Sequence, residues 1–197
     1  MKKFLLFKSI KNDENDIFGD GSTIATYTLN GNANDLGGVH NGTPTNVTYT
    51  TGKIEQCGVF AGNALIDVPS ITSAGAFSFW FKINTAVSVC GLMSVNSKEV
   101  IIAAGRLGCA YGNTLYHKLT VSTKTWYHVV YNLADNTFYV NGNLLSTITT
   151  EGCGVTYRAL LIGRRQYLAQ YFNGLIDHVR IFNRALTQAE VTQLYNE

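Results

Sequence analysis

The sequence has few charged side chains, few prolines and no long apolar run. Charged residues make up 14% of the 197 residues, against about 25% in an average soluble domain. Since 46% of the residues are hydrophobic and the net charge is only +2, the low charge does not indicate disorder. The near-neutral charge excludes a strongly electrostatic nucleic-acid binder. The lack of an apolar run of about eighteen residues excludes a membrane-spanning helix, so we expect neither nucleic-acid binding nor membrane insertion.

The sequence also lacks an export signal and a zinc motif. Lys2 and Lys3 precede only a short apolar stretch, Phe4–Phe7, whereas the apolar part of a signal peptide needs about 7–15 residues. We therefore expect no signal peptide. The cysteines form no CxxC pair, which argues against zinc, although they could form two disulfides in three pairings. In a chain that is not exported we expect reduced, mostly buried thiols at Cys57, Cys90, Cys109 and Cys153.

Short apolar runs separated by glycine and asparagine fill most of the chain. Phe77–Ile83 alternates large apolar residues with Ser78 and Lys82. Asn141-Gly142 lies between two runs of β-forming residues, which is the strongest short-range signal for a β-hairpin. Other short runs follow at close intervals. This spacing predicts an all-β fold, a two-sheet antiparallel jelly-roll sandwich.

The two ends of the chain differ from this pattern. Thr187-Gln188-Ala189-Glu190 is a capping box, which predicts one short C-terminal helix near residues 187–195. At the other end, an apolar and basic arm over residues 1–10 is followed by a polar, turn-rich linker. We therefore divide the chain into an N-terminal arm and linker, residues 1–22, and one domain, residues 23–197. The arm could add a strand to the open sheet edge of a neighbouring molecule or pack on its own sandwich.

Five stretches together resemble a known family. They are Tyr27–Asp35, Gly52–Phe60 with its Gly-Lys-x-x-Gln-x-x-x-Phe pattern, Phe77–Lys82, the pair Trp126–Val129 and Tyr139–Gly142, and Phe172–Leu186. Their order and spacing are similar to the laminin-G-like, concanavalin A-like lectin-glucanase jelly roll found in bacterial surface proteins and phage structural proteins. The run Asp16–Ser22 resembles the lead-in to such domains in tailed-phage virion proteins. The resemblance implies a two-sheet sandwich, and the lead-in implies a virion protein of a tailed phage.

The resemblance also raises catalysis, because related folds include glycoside hydrolases. Retaining hydrolysis needs two carboxyl groups about 5 Å apart, and the hydrolases of this family supply them from a strand of the Glu-x-Asp-x-x-Glu type. No such strand occurs here, and Asp177 has Leu175 and Val179 as its alternate neighbours. The serine-nucleophile and phosphate-loop motifs are also missing. We therefore expect a protein that is not an enzyme.

The resemblance also implies a candidate calcium site, because many laminin-G-like domains carry one structural Ca²⁺. Asp35 and Asp177 match acids of the opening and closing motifs of the family. Ca²⁺ takes six to eight oxygen ligands, and Asn30, Asn32 and Asn34 could add amide oxygens. The alternative is that this asparagine-rich turn bonds to its own backbone.

Carbohydrate binding is the third kind of site. The chain combines low charge with 11 tyrosines, and sugars are held by aromatic stacking together with amide and arginine hydrogen bonds. The candidates lie in two turn-rich regions: Tyr111, Tyr116, His117, Tyr157, Arg164, Arg165, Tyr167 and Tyr171. The alternative is that tyrosines suit half-buried strands and interfaces, and that the two arginines form a solvated rim or a subunit salt bridge.

Two functions of different classes follow. The first is a virion protein of a phage, a capsid decoration or tail appendage present in many copies or as a homo-oligomer. It would assemble in the host cytoplasm, attach to other virion proteins through the arm and display a lectin-like domain to host-surface or mucus glycans. The second is a freestanding bacterial carbohydrate-binding module, against which the missing export signal counts.

Overall fold

Two antiparallel sheets packed face to face make up the fold. The computed structural model describes residues 13–85, 88–95, 98–111, 114–147, 159–166 and 168–197, and the side chains of residues 110–118 lie outside this description. The elements are β1 Thr23–Tyr27, β2 Thr43–Thr45, β3 Thr48–Thr51, β4 Gln56–Ala61, β5 Leu65–Val68, β6 Ala76–Ile83, β7 Val89–Val95, β8 Lys98–Ala103, β9 Arg106–Tyr111, β10 Thr114–Thr120, β11 Trp126–Asn132, β12 Thr137–Val140, β13 Asn143–Thr147, β14 Leu160–Ile162, β15 Asn173–Phe182 and α1 Gln188–Tyr195.

The strand order explains how distant parts of the chain meet. Sheet I runs β13-β12-β11-β6-β15-β4-β3, and β1 pairs with the C-terminal half of β15. Sheet II runs β10-β9-β8-β7-β14-β5-β2. Because β15 is flanked by β6 on one side and by β4 and β1 on the other, the last strand of the chain closes the centre of sheet I. The predicted two-sheet antiparallel sandwich is confirmed.

The core lies between the sheets and follows the alternation of the strands. On β6, Phe77, Phe79 and Phe81 are fully buried in the main core, while the intervening residues face away from it. On β8 of sheet II, Val100 and Ile102 enter the same core. Alternate residues of a strand point to opposite faces, so each sheet also has an outer face, and these outer faces carry the polar chemistry.

The turn and the helix form where the sequence predicts them. β12 and β13 are joined through Asn141 and Gly142, both with positive φ, 50° and 78°, as a tight hairpin turn requires. The Thr187 side chain accepts from the amide of Glu190, whose carboxylate accepts from the Thr187 amide. The capped helix buries Val191 and Leu194 in a second cluster with Val130 and Phe182, and so covers part of the outer face of sheet I.

The described part of the predicted linker packs against the sandwich. Ile17 is buried in the same cluster as α1, and the Phe18 ring lies 5.4 Å from that of Phe182. Asp20 forms an ion pair with Arg184 at 2.5 Å. Residues 13–22 are therefore held on the outer face of sheet I, whereas residues 1–12, including the predicted arm, lie outside the described residues.

The structure bears on the predictions about the cysteines and about a membrane-spanning helix. Cys57, Cys90 and Cys109 are buried, and Cys153 lies outside the described residues. Burial raises the pKa of Cys57 to about 11 and that of Cys90 to about 12, so both thiols stay protonated and unreactive at neutral pH. Their redox state stays a prediction for non-reducing mass mapping. In the described ranges, no helix is long and apolar enough to span a membrane.

A buried histidine of β11 lies next to α1. His128 is buried, with Nε2 2.8 Å from the Ser78 hydroxyl and its ring 4.9 Å from that of Trp80. Burial, together with the charge of Arg180, lowers the pKa of His128 from 6.5 to about 3. His128 therefore stays neutral in the folded protein at pH values where it would be protonated in the unfolded chain.

This histidine makes the fold sensitive to acid. Because the unfolded chain binds the proton and the folded chain does not, stability falls as the pH drops from about 6.5 toward 3, by about 3 kcal/mol at pH 4.5. We expect His128→Gln to remove this dependence. Urea denaturation of both proteins at pH 7.5 and pH 4.5 measures it. Between these pH values the variant should lose less stability than the wild type does. Equal losses in the two proteins would contradict the prediction.

Candidate functional site

A turn that follows β14 crosses the outer face of sheet II. Arg164 and Tyr171 are bridged as an antiparallel pair, and we call residues 164–171 the 164–171 hairpin; its residue 167 lies outside the described residues. The Gly163 amide donates to the Leu92 carbonyl at 2.8 Å. The hairpin thus starts beside β7, where the chain leaves the short strand β14.

Gly91 of β7 lets the hairpin lie directly on the sheet. The Gln170 carbonyl accepts from the amides of Gly91 and Arg165, at 3.0 and 3.2 Å. A Cβ atom at Gly91 would lie only 2.3 Å from the Arg165 nitrogen and 2.5 Å from the carbonyl carbon of Arg164. A larger residue at this position would therefore push the hairpin off the sheet.

An ion pair attaches the hairpin to β8 of sheet II. Glu99 alternates on β8 with core residues, so its side chain points to the outer face. Its carboxylate accepts from Nε and NH2 of Arg165, both at 2.7 Å, and from the amide of Gln166 at 2.8 Å. Glu99 and Arg165 are only 3% and 8% exposed. Removing either partner would leave an unpaired charge in a buried environment, which is strongly destabilising. The pair therefore fixes the hairpin backbone.

The side of the hairpin that faces solvent carries a cation on an aromatic ring. The Arg164 guanidinium lies 5.4 Å from the centre of the Tyr171 ring, and its Nε donates to the Leu168 carbonyl at 3.5 Å. Both residues are half-buried, and Leu168 is 42% exposed. Among the described residues, nothing hydrogen-bonds to the terminal guanidinium nitrogens of Arg164 or to the Tyr171 hydroxyl. This surface offers stacking and hydrogen bonding together.

A buried acceptor lies in the same hairpin. Gln166 is 8% exposed, and its Nε2 donates to the Ala159 carbonyl at 3.2 Å. Its Oε1 is buried with no hydrogen-bond partner in the described part of the chain. Buried polar atoms without a partner are uncommon in folded proteins, so this oxygen is suited to accept from a buried water.

The structure brings together three of the eight candidate sugar-binding residues. Arg164 and Tyr171 form the open surface, and Arg165 is committed to Glu99, so the alternative of a solvated rim does not hold for Arg165. The candidates Tyr111, Tyr116 and His117 belong to β9 and β10 of sheet II, and their side chains lie outside the described part, as do Tyr157 and Tyr167. Sequence reasoning missed Gly91, Glu99 and Gln166; the one local signal was an acid inside the apolar run of β8.

The first calcium candidate, Asp35, organises its own loop. Its Oδ1 accepts from the amides of Thr26 and Gly37 at 3.0 and 3.1 Å, and its Oδ2 from those of Val39 and His40 at 3.2 and 3.1 Å. Each oxygen thus faces two N–H donors, which is the opposite of what a cation needs. In the adjoining asparagine turn, Asn32 accepts from the Asn34 amide at 2.8 Å, in line with the alternative interpretation of the turn.

The second candidate, Asp177, lies in a separate network on sheet I. Its Oδ2 accepts from the amides of Lys53 and Ile54, at 2.8 and 3.0 Å, and its Oδ1 lies 3.1 Å from His178 Nδ1. In the described ranges, no three His, Cys, Asp or Glu side chains gather as a metal-binding group. These donor-filled carboxylates do not fit Ca²⁺. The calcium site stays a prediction, which calorimetry with chelator and then excess Ca²⁺ tests.

Comparison with known proteins agrees with this architecture. The model of the concanavalin A-like lectin/glucanases superfamily, Laminin_G_3, matches residues 58–192, more than half of the chain. No curated protein sequence matches the chain. The family model covers β15 and most of α1, and includes the whole 164–171 hairpin.

Solved structures are similar in fold at low sequence identity. Domain 4 of AbnA, an extracellular GH43 arabinanase from Geobacillus stearothermophilus in complex with arabinotriose, aligns with a TM-score of 0.73 and 21% identity over 88% of this chain and 98% of that one. The binding domain of Paraclostridial Mosquitocidal Protein 1 has a TM-score of 0.67 and 16% identity over 89% of this chain. A Trypanosoma rangeli sialidase mutant has a TM-score of 0.70 and 14% identity over 88% of this chain.

These similarities differ in how much of the other protein they cover. The chain spans 52% of the mosquitocidal binding domain and 32% of the sialidase, but nearly all of the arabinanase domain. At these identities the similarity shows the fold. With two antiparallel sheets, a capped C-terminal helix and a family model matched over residues 58–192, the chain belongs to the concanavalin A-like lectin/glucanases superfamily.

Proposed function

We propose that this chain is a non-enzymatic carbohydrate-binding protein, with its site on the 164–171 hairpin and the outer face of sheet II. The observation that carries the proposal is the Arg164–Tyr171 pair. In the described part of the chain, its terminal guanidinium nitrogens and its hydroxyl have no hydrogen-bond partner, while the Glu99–Arg165 ion pair holds the adjoining backbone on the sheet. A rigid aromatic ring with adjacent hydrogen-bond donors suits a sugar, because a preordered site loses little conformational entropy on binding.

The charges on this face support binding over hydrolysis. The carboxylate of Glu99 is engaged by Arg165 and by the Gln166 amide. The strand registers place Glu99, Ser94, Leu161 and Asp67 in one row across sheet II. With three strand spacings between them, the backbones of Glu99 and Asp67 are about 14 Å apart, and the Glu99 carboxylate is held by Arg165. Both facts disfavour the separation of about 5–9.5 Å that the two carboxyl groups of a glycosidase need.

The similarity to known structures adds support of a second kind. The arabinanase domain, which this chain covers almost in full, is described in complex with arabinotriose. A short oligosaccharide is therefore a reasonable first probe for this chain, although the identity of 21% does not transfer the binding residues.

The site is tested by glycan-array screening followed by calorimetry with the glycans that bind. We expect Tyr171→Ala to weaken binding about tenfold, because an aromatic or cation–π contact contributes about 1–1.5 kcal/mol. The matched control is Lys82→Gln, which removes a similar cation–aromatic contact, Lys82 over Trp126 at 4.9 Å, from the outer face of sheet I. The proposal fails if no glycan binds, or if both variants bind as wild type does.

For the biological setting we propose the virion of a tailed phage, where the chain would act as a capsid decoration or tail appendage. It would be assembled in the host cytoplasm, carried in multiple copies or as a homo-oligomer, and attached to other virion proteins through residues 1–10. Support comes from the apolar and basic arm and from the Asp16–Ser22 run. The alternative is a freestanding bacterial carbohydrate-binding module. Mass spectrometry of purified virions decides between them, since absence from every particle would exclude the virion setting.

A further inference from the structure

The charge of the proposed site points to a more specific ligand class. At the 164–171 hairpin, the positive charge of Arg165 is matched by Glu99. The adjacent Arg164 has, in the described part of the chain, no carboxylate within ion-pairing distance, and its contacts are the Tyr171 ring and the Leu168 carbonyl. The described surface of the hairpin therefore carries one uncompensated positive charge next to solvent.

Two contacts restrict the orientation of this guanidinium. Its central carbon lies 5.4 Å from the centre of the Tyr171 ring, and Nε donates to the Leu168 carbonyl at 3.5 Å, so the two terminal nitrogens are left for a ligand. Arginine binds a carboxylate through two parallel N–H···O bonds, and a guanidinium restricted in this way loses less freedom when it forms them. The exposed Leu168 side chain adds an apolar surface that suits the C–H face of a sugar ring.

We infer that the 164–171 hairpin binds an acidic saccharide, with the sugar carboxylate paired to the terminal nitrogens of Arg164. This inference rests on the proposed carbohydrate site and adds the ligand class to it. A neutral sugar would leave the arginine charge unmatched at the interface, whereas a uronic acid would match it and gain a charge-assisted hydrogen-bond pair.

The test compares a charged ligand with its neutral methyl ester. Calorimetry with trigalacturonate and with its fully methyl-esterified form isolates the carboxylate, because the sugar rings and linkages are the same. We expect the wild-type protein to bind the acid about tenfold or more tightly than the ester, corresponding to about 1.4 kcal/mol. We also expect the affinity for the acid to fall as salt rises.

Variants assign the preference to Arg164. Arg164→Gln should abolish the preference for the acid, Arg164→Lys should retain only part of it because the planar fork is lost, and Lys82→Gln should leave it intact. Melting temperatures of all variants control for folding. Equal binding of acid and ester by wild type, with both weakened by Tyr171→Ala, overturns the acidic ligand and leaves the sugar site standing. Binding of neither ligand, with no hit on the glycan array, overturns both proposals.

Discussion

Asp177→Ala is expected to lower the free energy of unfolding by about 3–5 kcal/mol, since two backbone N–H groups lose a charged acceptor and each such hydrogen bond contributes about 1.5–3 kcal/mol. The carboxylate is fully buried on β15 and accepts from the amides of Lys53 and Ile54 in the turn between β3 and β4. Those donors are more than 120 residues away along the chain. The side chain therefore joins the central strand of sheet I to the turn at its edge.

Gly52 belongs to the same arrangement. A Cβ atom at Gly52 would lie 2.5 Å from Asp177 Oδ2, so this glycine makes room for the carboxylate that its neighbouring amides bind. We therefore expect the effects of Gly52→Ala and Asp177→Ala to be less than additive, because the alanine at 177 removes one of the atoms in conflict.

Urea denaturation of the two single variants and the double variant measures this coupling. Asp67→Ala is the matched control, since Asp67 is a half-buried strand carboxylate with no hydrogen bond among the described residues. We expect it to cost less than about 1 kcal/mol. A similar loss for Asp67→Ala and Asp177→Ala would show that the Lys53 and Ile54 amides do not depend on the carboxylate.

The second large effect is expected at Asp35, where alanine should cost about 3 kcal/mol. The carboxylate accepts from four backbone amides, one on β1 and three in the loop that follows it. Gly37 and Val39 are exposed and His40 is half-buried. Water can therefore replace the carboxylate as a hydrogen-bond partner for part of these amides. The cost is therefore smaller than four buried hydrogen bonds would imply.

Hydrogen exchange resolves this effect better than global unfolding does. In Asp35→Ala the amides of Gly37, Val39 and His40 should exchange much faster than in wild type, while those of the core strand β6 should change only as far as global stability changes. Asn34→Ala, one residue earlier and exposed, is the control, and its stability should stay within about 0.5 kcal/mol of wild type. Unchanged protection in Asp35→Ala would contradict this role.

The sequence identifies both aspartates as candidates, but for another reason. Their positions match acids of family-like motifs, which predict Ca²⁺ as their ligand. Residue type and motif identify a carboxylate that must be present, yet they do not distinguish a cation from backbone N–H groups as its partner. That distinction depends on which turns fold back onto the carboxylate, and for Asp177 the turn is distant in sequence.

The sequence by itself determined the fold class, because the signals for it are local. Alternation on β6, the Asn141-Gly142 turn and the capping box at Thr187 each depend on residues within a few positions of one another. The candidate site was decided by the tertiary structure. Glu99 and Arg165 are 66 residues apart, and Gly91 supports a hairpin more than 70 residues away in the chain. Such pairs meet only because β14 inserts beside β7 in sheet II, and no local pattern encodes which strands become neighbours.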